Sequence, residues 1–497
     1  MPINVPDKIY RFVKLENWEH ELTKTPEMQR TRGIKQLGLS YIRYPSATHT
    51  RYEHSLGVAH LMGLAIDQIA NNSPRQIAEE IQEYHNCLRA TAILHDCGHT
   101  PFSHTLDGLI EMMFGKSHEV ISAELVQSSS KISSILEKNN GRLEDVLNLL
   151  LPSTEFPISY IQEIVSGDID VDRIDYLNRD SHYTMTGYGV IDYRGIIDSM
   201  SVKSILPEEY DKTAEKLKKK LIREDKGIEK LLTEITKTDT KLGEKTAKML
   251  KKIDEKAIKI LRENHIVLDF RVRHSAIGLL MAREVMYPLV YRHPETRAAE
   301  GIFNKIIEYC IEKGLIKPEI FYDPSTILEN CEKSILINDG YLDSMVRNIN
   351  DNYVKDMIRR LDSEDFFRVA FEATYWDVGR LRHAIKDIIY SSDQKKRYVM
   401  IKGLLNGISS EIGLDPKYIT IDILQIKEEK GLVNALIQRP DGRIVSISEA
   451  SSITQALRNS PLENWFSVVR IPEKLDGKQF AYSPKIREAI ADLFFID

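Results

Sequence analysis

The stretch Ile93-Leu94-His95-Asp96-Cys97-Gly98-His99-Thr100-Pro101-Phe102-Ser103-His104 constrains this chain more than any other. Three histidines and an aspartate fall within ten residues. Neighbouring side chains on a helix point about 100° apart, so His95 and Asp96 can approach one ion set off that face. Imidazole and carboxylate together suit Mn, Fe, Zn and similar ions. Gly98 and Pro101 should stop the helix and turn His99 and His104 back over the same spot. The stretch reads as half of a metal site with acid–base groups attached. The other half must come from elsewhere in the chain.

A His-Asp pair alone is commonly a surface or capping feature, so three further features carry the reading. Arg51-Tyr52-Glu53-His54-Ser55 opens a helix expected to pack beside the His95 helix. His54 is the candidate third ligand, and Arg51, one turn away, can hold a phosphate oxygen in a bidentate fork. Asp168-Ile169-Asp170-Val171-Asp172-Arg173-Ile174-Asp175-Tyr176 packs four carboxylates among apolar residues. A helix that buries Ile169, Val171 and Ile174 should not also bury carboxylates unless they are paired or bound to a cation. Asp172 is the candidate fourth ligand, whereas Asp168 is equally explained as an acid favoured at a helix N-terminus. Finally, His99, His104, Asp107 and His118 follow in one loop-and-helix region, and a His beside a carboxylate is the standard acid–base pair. Two His and two Asp leave positions open on a six-coordinate ion for water and a phosphate oxygen. With Arg51, Arg173, Arg179 and Lys35 available to a pocket, the substrate is expected to be anionic. Hydrolysis of a phosphoester or phosphoanhydride is the reaction class that follows.

Composition narrows the setting. A length of 497 residues is too long for one ordinary core and suggests about two to four domains. The net charge of −6 gives no global reason to expect nucleic acid, which would need a local basic patch. The four cysteines (Cys87, Cys97, Cys310, Cys331) show no C-x-x-C spacing and read as free thiols of a reducing compartment. The N-terminus lacks the basic and apolar regions of a signal peptide. The apolar segment around 266–290 carries too many charges for a membrane span. A soluble, cytoplasmic protein is expected.

Along the chain, Thr25-Pro26-Glu27 marks a helix start. Helices are expected from Arg51 to about Asn71, from Ile77 to Leu94, and over 162–179. Residues 212–262 are dense in Lys and Glu, and Leu221, Ile228, Ile235, Leu242 and Met249 repeat every seven residues. That spacing suits an amphipathic helical pair, and the absence of aromatic interleaving argues against a nucleic-acid arm. Helical periodicity returns from about 266 to 407. Alternation over 418–426 and 432–438, turn chemistry at Arg439-Pro440-Asp441-Gly442, and Arg443-Ile444-Val445-Ser446-Ile447 then suggest strands. The expected fold is mainly α. Its parts are a helical core over 1–205, a charged helical insert over 206–265, a helical continuation over 266–407, and a small α+β module over 408–497.

At these residues the chain resembles the HD-domain phosphohydrolases, and within them the deoxynucleoside triphosphate (dNTP) triphosphohydrolases. The resemblance rests on Thr25-Pro26-Glu27-Met28-Gln29-Arg30, Ile34-Lys35-Gln36-Leu37-Gly38, Tyr44-Pro45-Ser46-Ala47-Thr48-His49-Thr50-Arg51-Tyr52-Glu53-His54-Ser55-Leu56-Gly57-Val58, His95–His104 and Asp170–Tyr176. It implies an HD-domain helical core and a divalent metal (Mn, Fe, Mg, Zn or Ni) held by His54, His95, Asp96 and Asp172. It implies that His99, His104, Asp107 and His118 surround the α-phosphate and manage protons. Gln36, Leu37, Tyr176 and Asp180 match sugar contacts, and Arg51 and Arg173 match phosphate contacts. The products implied are a deoxynucleoside and triphosphate, made by a homo-oligomer, dimer or tetramer. The chain departs from the family where Ile3-Asn4 and Lys24 replace residues that read a guanine activator. It departs again where His293 and Arg297 stand in place of a phosphate-contacting Arg and a His, and where a base-stacking Tyr is missing. Two rival readings follow: a phosphodiesterase or phosphatase on cyclic or modified nucleotides or single-stranded nucleic acid, and a nucleotide-binding regulatory scaffold.

Overall fold

The computed structural model describes residues 2–151, 156–205, 263–425, 435–454 and 465–496. The heptad-bearing stretch of the charged insert, 212–262, lies outside the described residues. Among those described, the chain is mainly α-helical, and its strands form small sheets.

The long helix Arg51–Asn72 starts where its sequence supplies a capping box. Thr50 Oγ1 accepts from the Glu53 amide at 3.4 Å, and Glu53 Oε2 accepts from the Thr50 amide at 2.8 Å. Ser73 and Pro74 end it. Pro26 opens the helix Pro26–Thr31, as its position predicts. Two expected helices are each divided. The stretch from Ile77 to Leu94 breaks at Tyr84 (φ −90°, ψ 0°) into Arg75–Glu83 and His85–Leu94. The 162–179 candidate is split at Gly167, where the helix Ser159–Ser166 ends. Asp170 then caps a new helix, Val171–Thr184, by accepting from the Arg173 amide at 2.7 Å. Apolar periodicity continues across both breaks, because both halves pack on the same core.

Three cores organise the molecule. The first holds the Arg51–Asn72, His85–Leu94 and Val171–Thr184 helices around Leu61, Ile66, Ile93 and Ile174. The second joins the helix His104–Phe114, through Leu106 and Ile110, to the helix Pro294–Glu312, through Ile302 and Ile306. The third gathers Phe371, Ile385, Ile408, Val469 and Phe494.

The C-terminal strands expected from the sequence are divided between two sheets, and Lys474–Leu475 pairs with Lys478–Gln479 in a further small one. One is four-stranded, ordered Ser201–Ile205, Glu263–Asp269, Leu436–Gln438, Ile444–Ser446, with Val267 paired parallel to Leu436. Through Ile437 and Ile447 this hairpin joins the first core. The other sheet places Trp465–Ile471 between Arg368–Thr374 and Thr420–Ile423, antiparallel to both. Arg368–Thr374 thus interrupts the stretch read as helical up to 407. Among the described residues, no helix is long and apolar enough to cross a membrane.

Candidate metal centre and proton-transfer cluster

The helix His85–Leu94 ends at His95, still in right-handed conformation, and the loop from Asp96 to Ser103 follows. Gly98 in this loop lies against the helix His118–Ser128: an added Cβ would come within 2.3 Å of the Ser122 nitrogen. The Gly98 amide donates to Ser122 Oγ, which donates to the His95 carbonyl, both at 2.8 Å. The loop is therefore sewn to the helix that carries His118. Cys97 is buried within it, and burial pushes its thiol up to about 12, as suits a packing residue.

Four side chains from three elements converge. His54 Nε2 lies 3.3 Å from His95 Nε2, 2.9 Å from Asp172 Oδ1 and 3.6 Å from Asp96 Oδ2. His95 Nε2 lies 3.4 Å from Asp96 Oδ1 and 3.6 Å from Asp172 Oδ1. Bonds of about 2.1 Å to a common ion put neighbouring ligand atoms roughly 3 Å apart, which is the spacing seen. The far side of each ring decides what these nitrogens present. His54 Nδ1 faces Asp175 Oδ2 at 2.8 Å, and His95 Nδ1 faces the Ala92 carbonyl at 2.9 Å. Burial favours the neutral acid of Asp175, but Arg179 and His54 hold it ionised at about 2. Both partners are acceptors, so both Nδ1 atoms carry the proton. Neutral rings then aim two bare Nε2 lone pairs at each other, between carboxylates. His54, His95 and Asp96 form a group that could hold a divalent metal, and Asp172 Oδ1 stands beside it, 2.9 Å from His54 Nε2. Without one, a proton stands in. Burial opposes a charged His54, yet its hydrogen bonds to Asp172 and Asp175 raise it to about 10.

The neighbouring cluster separates charges in another way. His99 Nδ1 lies 2.6 Å from Asp107 Oδ2, and Asp107 Oδ1 accepts from the Thr100 amide and hydroxyl at 3.0 and 2.8 Å. His118 stacks on His99 with ring centroids 3.9 Å apart, and His104 stands edge-on to His99 at 5.2 Å. Burial and the Arg51 charge press His99 toward neutrality, but Asp107 and Asp96 outweigh them and raise it. Burial and the charge on His99 push His118 down to about 4. Two stacked rings thus hold protons with unequal strength, the arrangement acid–base work requires. His99 Nε2 is 3.1 Å from Asp96 Oδ1 but misaligned, and it has no hydrogen-bond partner among the described residues. His104 is 68% exposed and meets solvent.

The remaining expected residues are more occupied. Arg51 is buried and donates to Asp96 Oδ2 at 2.8 Å, Ser103 Oγ at 3.0 Å and the Gln36 carbonyl at 3.3 Å. Gln36 is buried, with its Oε1 unpartnered among the described residues, and Leu37 packs against the first core. Arg173 donates to the Gly167 carbonyl. Tyr176 lies 6.2 Å from Tyr291, ring to ring. Asp180, 1% exposed, meets His49 Nε2 and the Tyr291 hydroxyl, both at 2.8 Å. His293 stands edge-on to Tyr44, and Arg297 forks onto Asp422 with two 2.8 Å bonds while also reaching Glu300 at 2.7 Å. Sequence reasoning passed over Asp175 as a support and gave Arg179 to the pocket, whereas Arg179 is fully buried against Asp175. Asp175 stood among the four carboxylates but had no role, and Arg179, four residues on, is its helical neighbour and donates at 2.8 Å. Asp7 of the N-terminal hairpin continues the line, accepting from Arg179 at 3.0 Å.

Comparison with known proteins places this geometry. The HD domain family matches residues 51–180, and the HD associated region matches residues 256–481. An uncharacterised protein of Methanocaldococcus jannaschii is 29% identical over 472 residues, 95% of this chain and 79% of that protein. An uncharacterised protein of Bacillus subtilis is 28% identical over 61% of this chain, which spans 54% of that protein's length. The deoxynucleoside triphosphate triphosphohydrolase of Homo sapiens is 32% identical over 208 residues, 36% of this chain and 33% of that enzyme. Among solved structures, a phosphohydrolase of Bacteroides thetaiotaomicron shares the fold, with a TM-score of 0.62 at 21% identity, covering 95% of this chain and 100% of that one.

Proposed function

The chain belongs to the HD-domain phosphohydrolase superfamily, related to its dNTP triphosphohydrolases, and on that premise we propose that it hydrolyses dNTPs to deoxynucleoside and triphosphate. One observation carries the reading: two imidazoles, each with its proton pinned on the far nitrogen, aim lone pairs into a space bounded by Asp96 and Asp172. His54, His95, Asp96 and Asp172 are the metal ligands in this reading. A bound divalent ion lowers the pKa of water and neutralises phosphoryl charge. The chain's own groups do the rest. Asp107 keeps a proton on His99 Nδ1, so His99 turns Nε2 toward the substrate. His118 stays neutral at pH 7 and buttresses the His99 ring. His99, raised by Asp107 and Asp96, is the ring that supplies the proton the departing 5′-oxygen needs, and His104, pressed well below the usual histidine range by desolvation and the Arg51 charge, flanks it as a neutral ring at the solvent edge. Arg51, locked between Asp96 and Ser103, offers fixed positive charge near the phosphates. Gln36, Leu37, Arg173, Tyr176 and Asp180 form the sugar and phosphate side, and a homo-oligomer completes the reading.

The test is a metal-supplemented hydrolysis panel over dNTPs, NTPs, cyclic dinucleotides and short single strands, read for product identity. Release of triphosphate is expected. Nucleoside monophosphates as the only product would instead favour a phosphodiesterase, and binding without turnover would favour a regulatory scaffold. Asp96→Ala and Asp172→Ala should each abolish turnover; wild-type turnover by either variant after metal removal would overturn the ligand assignment.

A further inference from the structure

The loop that leads into the His104 helix turns through two consecutive non-glycine residues with positive φ, Phe102 at 61° and Ser103 at 49°. Such conformations are uncommon outside glycine and persist where the surroundings impose them. The surroundings here include one distant carboxylate. Asp339 opens the helix Asp339–Arg347 and is buried. Its Oδ1 accepts from the Phe102 amide at 2.7 Å, and its Oδ2 accepts from the Lys35 amide at 3.0 Å and from Lys35 Nζ at 3.3 Å. Its own amide donates to the Gly33 carbonyl at 3.1 Å. The turn closes on the same group, because Ser103 Oγ donates to the Lys35 carbonyl at 2.7 Å and accepts from Arg51 Nε at 3.0 Å. One carboxylate therefore holds both strands of the loop pair that presents His104 and Arg51.

The neighbouring contacts leave little freedom. A Cβ on Gly33 would lie 2.3 Å from the Asn338 side chain, which packs directly on this glycine. On the other flank, buried Arg30 donates to the Ile337 carbonyl at 3.1 Å and to the Cys97 and His99 carbonyls at 2.8 Å each. The segment 337–339 is thus pinned to the catalytic loop at both ends. The metal ligands stand on helices of the first core, whereas His104 and Asp107 stand on a helix of the second. The register between the two sets has to be fixed somewhere, and this contact spans them.

We propose that Asp339 is a positioning residue. By holding the Phe102–Ser103 turn and Lys35, it sets His104 and Arg51 against the phosphate that the metal centre addresses. The proposal rests on the hydrolase reading for its kinetic consequence, but not for its structural one.

The test compares Asp339→Ala, which removes both acceptors, with Asp339→Asn, which keeps the acceptor for the Phe102 amide and loses the one for Lys35. Metal content should match wild type in both. Backbone amides of residues 99–105 should exchange with solvent at least about tenfold faster in the Ala variant and stay slow in the Asn variant. Turnover per bound metal should fall about 100-fold in Ala and roughly tenfold in Asn, with KM within about threefold. Wild-type turnover per bound metal in either variant overturns the proposal, as does unchanged exchange in Ala. If the Ala variant does not fold, the Asn variant decides by the same turnover criterion. Exchange is read without substrate, so a wild-type protein that hydrolyses no nucleotide sinks the function while the exchange result still judges Asp339.

Discussion

His54 presents a lone pair to a metal only while Asp175 takes the proton on the other side of the ring. Asp175→Ala removes that acceptor and should lower metal affinity about 10- to 100-fold, read by competition with a chromogenic chelator. Protonation gives a second test. The His54 pKa is raised, to about 10, so the metal-free ring is charged throughout the physiological range. Binding an ion must displace that proton. Affinity should therefore climb with pH, about tenfold per unit for each proton released, and level off above pH 10. Calorimetry in buffers of different ionisation enthalpy counts the protons directly. Release of none would mean that the imidazoles do not ligate. The candidate ligands were legible in the sequence, because His54, His95, Asp96 and Asp172 each sit in a local pattern that puts polar groups on an otherwise apolar face. The Asp175–Arg179–Asp7 line was not, since only packing shows which of four neighbouring carboxylates turns toward which imidazole.

At the scale of elements, the catalytic loop depends on how closely it approaches the His118 helix. Gly98→Ala would push a methyl group into the Ser122 backbone and the His118 carbonyl. Overpacking of this kind costs about 1–3 kcal/mol. Thermal or chemical denaturation should show that loss, together with weaker activity, as His118 is moved off His99. A variant with wild-type stability would mean the loop has room that the close contacts deny. Helix starts were legible from their caps, at Thr50 and Pro26. Helix breaks at Tyr84 and Gly167 were not, because the apolar face runs on through both and periodicity alone cannot see a change of axis.

Across the whole molecule, a chain of polar contacts joins the helix His104–Phe114 to the three-stranded sheet. Thr105 Oγ1 donates to Glu300 at 3.0 Å, Glu300 accepts from Arg297, and Arg297 forks onto Asp422 in the strand Thr420–Ile423. Thr105 is the residue after His104. Asp422→Ala leaves the half-buried Arg297 without its fork partner and should destabilise the fold by about 1–3 kcal/mol, measured by denaturant unfolding. Retention of full stability would show that the sheet is not anchored there. Arg297, one of the positions where the chain departs from the family it resembles, is engaged by Asp422 and Glu300.

The sequence by itself determined the helical character and set out the candidate ligands and the candidate acid–base cluster, because each rests on spacing within one or two turns of chain. The tertiary structure decided what those groups can do. It drew together His54, His95 and Asp172 from separate helices, divided the expected C-terminal strands between two sheets, and brought Asp339 to a turn 237 residues before it. A contact between distant segments leaves no period in either of them. It exists only once burial makes an unpaired amide or carboxylate costly enough to demand a partner.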